Sequence, residues 1–171
     1  MSRFKIPAHR TTRVRAAVVV ALFGLLSLAA PVSAKQYLVF NTLAFHFENA
    51  DERRLFTPGI GWEFSPSSRV GFHAGTLSDS FGFQAGYAGL NYATRKFYAG
   101  PVGFRFIGGA SIVHKQFHKN SEPETKILPL PVMEIGFSEN AVLNISGSPK
   151  LDYAGQKNNA VLFFQFKLNF K

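Results

Sequence analysis

From residue 36 onward, bulky apolar residues alternate with small or polar ones at a period of two, and no segment sustains a helical period. The pattern is densest over residues 69–92, RVGFHAGTLSDSFGFQAGYAGLNY. Val70, Phe72, Ala74 and Thr76 share one face there, and beyond Ser78-Asp79-Ser80 the residues Phe81, Phe83, Ala85 and Tyr87 do so again. The opposite face carries mainly glycine, with His73, Gln84 and Ala88. Two such runs about a polar bend predict a β-hairpin. Bulk on one face and glycine on the other inverts a soluble sandwich and fits a barrel with its apolar side toward lipid.

Six further runs along the chain extend this hairpin to eight strands. Residues 36–47 place Tyr37, Val39, Leu43, Phe45 and Phe47 on an outward face, with Gln36, Thr42, Ala44 and His46 inward. A polar connection over residues 48–56 leads to residues 58–64, where Ile60, Trp62 and Phe64 oppose Gly61 and Glu63. After the hairpin, a turn at Ala93-Thr94-Arg95-Lys96 precedes residues 97–113, in which Tyr98, Val102, Phe104 and Phe106 oppose Gly103 and Arg105. A loop over 114–126 precedes residues 127–137, and Ser138-Glu139-Asn140 turns into residues 141–148. After a polar loop, residues 160–170 alternate strictly, with Leu162, Phe164, Phe166, Leu168 and Phe170 outward. The reading is all-β: an eight-stranded antiparallel transmembrane β-barrel over residues 35–171.

Turn lengths orient such a barrel. Connections after the second, fourth and sixth strands are short, whereas those after the first, fifth and seventh are long, and long loops belong to the outer face of bacterial barrels. His46 at the end of the first strand and Asp79-Ser80 after the third therefore belong at one rim.

Residues 1–34 have the three parts of a secretory signal peptide: basic residues Arg3, Lys5, Arg10, Arg13 and Arg15, an apolar stretch, and Val32-Ser33-Ala34 before the expected cleavage. Without those five basic residues the chain holds 14 Lys+Arg against 10 Asp+Glu, an excess of 4 rather than 9. The basic balance thus belongs largely to the leader, and it gives no ground for a nucleic-acid partner. A modest surplus suits anionic lipid or lipopolysaccharide. The absence of cysteine excludes disulfides, thiol catalysis and thiolate metal sites. His114 and His118 lack a carboxylate at zinc spacing, so no metal and no cofactor is expected. The 19 phenylalanines suit a lipid-facing surface.

Histidine, aspartate and serine at one rim are elements of acid–base or nucleophilic chemistry. By themselves His46, Asp79 and Ser80 read rather as a solvated rim histidine and an Asx-type turn. Pro58, Pro129 and Pro131 lack a ladder N–H and mark places where the wall opens or bends.

The segments Asp79-Ser80, Ala85-Gly86-Tyr87, Ile127-Leu128-Pro129-Leu130-Pro131-Val132 and Pro149 resemble the PagP-like lipid A palmitoyltransferases in order along the chain. The resemblance implies catalytic roles for His46, Asp79 and Ser80, a phospholipid donor, lipid A of lipopolysaccharide as acceptor, palmitate as the transferred chain, and a monomer in the outer membrane. The family's leading amphipathic helix has no counterpart here, because the first strand follows the leader almost directly. A lipid A deacylase, also a small barrel, and a non-enzymatic barrel are the alternatives.

Overall fold

The computed structural model describes residues 35–65, 69–119, 121–148, 150–153, 156–158 and 160–170. The expected signal peptide lies outside the described residues. The strands are β1 (Lys35–His46), β2 (Phe56–Ser65), β3 (Val70–Ser78), β4 (Gln84–Ala93), β5 (Phe97–Ala99), β6 (Val102–Lys115), β7 (Glu124–Pro129), β8 (Val132–Gly136), β9 (Ala141–Ser148), β10 (Leu151–Tyr153), β11 (Gln156–Asn158) and β12 (Val161–Asn169), with one 3-10 turn at Ala50–Glu52.

Pairing runs β4-β3-β2-β1-β12-β9-β8-β6, and β6 also pairs with β4, so the sheet closes on itself. Because β7 and β8 pair with successive parts of β6, they form one interrupted stave. The result is an eight-stave antiparallel barrel. Closure leaves no exposed sheet edge around the ring except where a stave is broken. The short hairpin β10–β11 lies apart from this sheet.

The inside and outside are inverted relative to a soluble protein. Phe45, Ile60, Phe72, Leu90, Ile112 and Phe166 are exposed, while Asn41, Glu63, His73, Ser111, Asn144 and Lys167 are buried. This is the surface of a barrel that faces lipid. In the lower half, Lys167 Nζ lies 3.0 Å from Glu63 Oε1 and 2.8 Å from Glu134 Oε2. Arg105 Nε lies 2.6 Å from Glu134 Oε1. Two cations and two carboxylates thus neutralise one another, which is the condition for burying charge.

Three local features depart from the alternation read in the sequence. First, Tyr37 and Val39, expected outside, are buried. The register of β1 against β12 slips between Asn41 and Leu43, and Thr42 Oγ1 bonds the carbonyl of Phe164 at 2.9 Å. This β-bulge reverses the phase of β1, so Tyr37, Val39 and Asn41 face inward below it and Ala44 and His46 above it. Pro58 of β2 sits opposite the slip, between the pairs Asn41↔Gly59 and Leu43↔Phe56, where the ladder needs no N–H from it.

Second, β4 has the opposite phase from that expected: Ala85 and Asn91 are buried, whereas Gln84, Ala88, Leu90 and Tyr92 are exposed. Phe81 and Phe83 belong to the loop, so counting the alternation through them misassigns the strand. Third, the turn expected at Ala93-Thr94-Arg95-Lys96 is an interruption. The chain continues along the same edge of β6 as β5 and reverses at Gly100, whose φ of 61° is a left-handed conformation that favours glycine.

The strand expected over 127–137 is broken at Leu130-Pro131. Leu130 still donates to the Gly109 carbonyl at 2.8 Å, but Pro131 cannot donate. On the other side, β9 pairs with β8 from Val132↔Ser146 to Gly136↔Val142, and among the described residues no ladder joins β7 to β9. The wall therefore has a seam beside Pro129 and Pro131.

Candidate active site

The end of the barrel opposite the chain's outermost strand residues, Lys35 and Asn169, carries the loops over 47–55, 79–83 and 116–123. Asp79 builds the second of these. Its Oδ1 accepts hydrogen bonds from the backbone N–H groups of Phe81 and Phe83, both at 2.9 Å, and its own N–H donates to the Phe83 carbonyl at 2.7 Å. Gly82, at φ 94°, completes the reversal and leaves space in which the Arg54 guanidinium lies. The turn is an Asx-type device that fixes the direction of Ser80.

The bulge in β1 turns His46 inward toward that serine. His46 Nε2 and Ser80 Oγ are 2.6 Å apart, and both side chains are buried. The loop over 47–55 packs above them: Arg54 N–H donates to the Ser80 carbonyl at 2.8 Å, and the Arg53 guanidinium lies 5.0 Å from the centre of the Phe81 ring. Asp79 Oδ2 and His46 Nδ1 are buried without hydrogen-bond partners among the described residues. If Ser80 donates to Nε2, the histidine proton sits on Nδ1, which makes Nδ1 a donor and Asp79 Oδ2 an acceptor. Of the three residues singled out from the sequence, two are in direct contact and the third shapes the turn.

Below the mouth lies a cavity of about 150 Å³. Asp79, Ser80 and Lys115 line its upper end, Leu77, Ala85, Val113 and Phe163 its walls, and Glu63 and His73 its lower end. At about 3.3 Å per residue, the five steps of β3 from Ser78, next to Asp79, to His73 span roughly 17 Å of strand. Leu128, Pro129 and Leu130 also line the cavity, so it reaches the seam.

Lys115 was missed by the sequence reading, which ended its strand at residue 113. It is the last residue of β6, on the inward phase, and its Nζ lies 5.1 Å from the centre of the Phe117 ring. A lysine two residues beyond Val113 is the signal that could have found it. His114, expected in a loop, is an outward strand residue bonded to Thr125 Oγ1 at 2.9 Å. Among the described residues no group of histidines and carboxylates is arranged to hold a metal.

The inward glycines do not create the lumen. A Cβ at Gly61 or Gly75 would stand 2.5 Å from Tyr87 Oη, so the Tyr87 ring occupies their space. Gly71 accommodates Asn91, Gly103 accommodates Lys96 and Tyr98, Gly82 belongs to the turn, and Gly86 lies on the outward phase of β4.

No family model matches the chain, and no curated protein matches it. Among solved structures, the N-terminal β-barrel domain of Pseudomonas aeruginosa OprF is similar at a TM-score of 0.46 and 13% identity, over 80% of this chain and 97% of that one.

Proposed function

We propose that this barrel is an outer-membrane acyltransferase that moves a long acyl chain from a phospholipid to lipid A. The observation that carries the reading is the 2.6 Å contact between His46 and Ser80 at the mouth of a cavity that reaches a seam in the wall. The outward apolar surface supports a membrane location, and the segments that resemble those of lipid A palmitoyltransferases support the choice of substrates.

The geometry favours Ser80 as the nucleophile, because His46 already touches its hydroxyl. Ser80 Oγ attacks the donor ester carbonyl while its proton passes to His46 Nε2. The carbon–oxygen bond to glycerol breaks, His46 returns that proton to the departing oxygen, and a lysophospholipid leaves. A lipid A hydroxyl then attacks the acyl-serine, gives its proton to His46, and restores Ser80 Oγ–H as the new ester forms. Lys115 lines the same mouth and supplies positive charge for the oxygen that becomes anionic in each half-reaction. Asp79 holds the turn that aims Ser80, through the bonds its Oδ1 accepts from the Phe81 and Phe83 N–H groups.

Mass spectrometry of lipid A from cells with and without the protein tests the reading. One added long acyl chain is expected. Loss of an acyl chain would instead indicate water as the acceptor and a deacylase, and unchanged lipid A would favour a non-enzymatic barrel.

A further inference from the structure

The cavity holds a second set of polar side chains that the reaction does not use. His73 Nε2 lies 2.7 Å from Ser111 Oγ, and Asn91 Nδ2 lies 3.5 Å from His73 Nδ1. These residues come from β3, β6 and β4, all three are buried, and all three line the lumen. From β9, Asn144 and Ser146 line it as well; Asn144 is only 4% exposed, and its Oδ1 has no hydrogen-bond partner.

The direction of these bonds matters. With an amide donor on its side, His73 Nδ1 carries the lone pair and the proton sits on Nε2. Nε2–H therefore donates to Ser111 Oγ, and the Ser111 hydroxyl proton remains available to an acceptor in the lumen. Asn144 Oδ1 is an acceptor in want of a donor. A plain methylene chain would satisfy neither, and buried polar groups left unpaired are costly.

We infer that the middle of the lumen is a hydrogen-bonding subsite for an acyl chain that carries a hydroxyl partway along its length. A hydroxyl accepts as well as donates, so it can take the proton that Ser111 offers; Asn144 lies deeper, paired with Glu134, which itself pairs with Arg105 six residues below Ser111, and is a separate acceptor along the lumen. Ser111 lies four residues below Lys115 on β6, about 13 Å along the strand at the usual rise. The hydroxyl thus belongs near the middle of a long chain rather than beside its carbonyl. The inference rests on the proposed acyl-chain lumen, and it replaces the unsubstituted palmitoyl chain implied by resemblance.

Ricinoleic and oleic acids differ only by a mid-chain hydroxyl and make a matched pair of probes. The folded barrel is equilibrated in detergent micelles holding equal amounts of the ricinoleoyl and oleoyl lysophospholipids, and native mass spectrometry reads which is retained. About a fivefold excess of the ricinoleoyl lipid is expected, the size of one net hydrogen bond. Ser111→Ala should remove that excess, and heat-modifiable gel migration checks that the variant folds. Equal retention, an oleoyl excess, retention of neither lipid, or a preference unchanged in Ser111→Ala overturns the subsite. A ricinoleoyl preference with unmodified lipid A keeps the subsite and removes the acyltransferase, whereas acylated lipid A with no preference does the reverse.

Discussion

The ring of Tyr87 fills the space beside Gly75: a Cβ on that glycine would stand 2.5 Å from Tyr87 Oη and 2.7 Å from its Cζ. The hydroxyl is held in place by Asn41 Nδ2 at 3.2 Å, and Asn41 Oδ1 accepts from Gln165 Nε2 at 2.6 Å. Residues from β4, β1 and β12 are thereby joined across the lumen. Gly75→Val should destabilise the barrel by about 1–3 kcal/mol, as overpacking does. Adding Tyr87→Ala should recover only the part of the loss that the ring causes, because Gly61 Cα would still stand 2.8 Å from the new Cβ, as read from urea midpoints in liposomes; equal losses in the single and double variants would show that the ring does not set the packing.

His46→Ala and Ser80→Ala should each abolish added acyl mass on lipid A while leaving barrel yield unchanged. Positioned proton transfer contributes about 10²–10⁴-fold, and members of one catalytic unit do not lose activity additively. The double variant should therefore be no worse than either single one. Asp79→Ala should remove activity and also loosen the turn, since two backbone N–H groups lose their acceptor.

Lys115→Met should lower the acyl-transfer rate by about 10²-fold, the scale of one lost oxyanion donor, with little change in the amount of donor lipid bound. Lys115→Arg should retain part of the rate. A Lys115→Met barrel with the full rate would leave Lys115 a packing residue against Phe117.

A cystine engineered between β7 and β9 beside Pro129 should stop turnover and release it on reduction. The native chain has no cysteine, so the bridge would be the only thiol chemistry present. Full activity in the bridged barrel would place lipid access at the loop end instead.

Lys167→Met should destabilise by about 3–5 kcal/mol, because Glu63 and Glu134 lose the cation they share. Adding Glu63→Gln should restore most of this, since Arg105 and Glu134 remain as a balanced pair. Urea midpoints of the two variants check the expectation.

The eight strands and most inward positions were legible because alternation is a local signal. Glu63, Arg105 and Lys167 all fell on the inward face at the sequence level, and they meet inside the barrel as charged side chains excluded from lipid must. The phase errors in β1 and β4 arose where the ladder gains a residue or a loop borrows aromatics, at Thr42 and at Phe81 and Phe83. Neither event changes the hydrophobic pattern enough to announce itself. The rim placement of His46 and Ser80 followed from loop lengths, but their contact did not. His46 was read as inward from the alternation; the contact also needs the Asp79 turn that aims Ser80, a closure within the loop that the alternation does not report.

The neutralised charges around Lys167 leave that side chain with no solvent exposure at all, so the barrel is stoppered below the cavity and works as a blind tube. In the proposed reaction, an acyl tail admitted above the stopper has no exit beneath it and must withdraw by the mouth or the seam. On that reading occupancy is single file: each spent chain has to vacate before its successor can be seated, and a product that lingers becomes its own inhibitor.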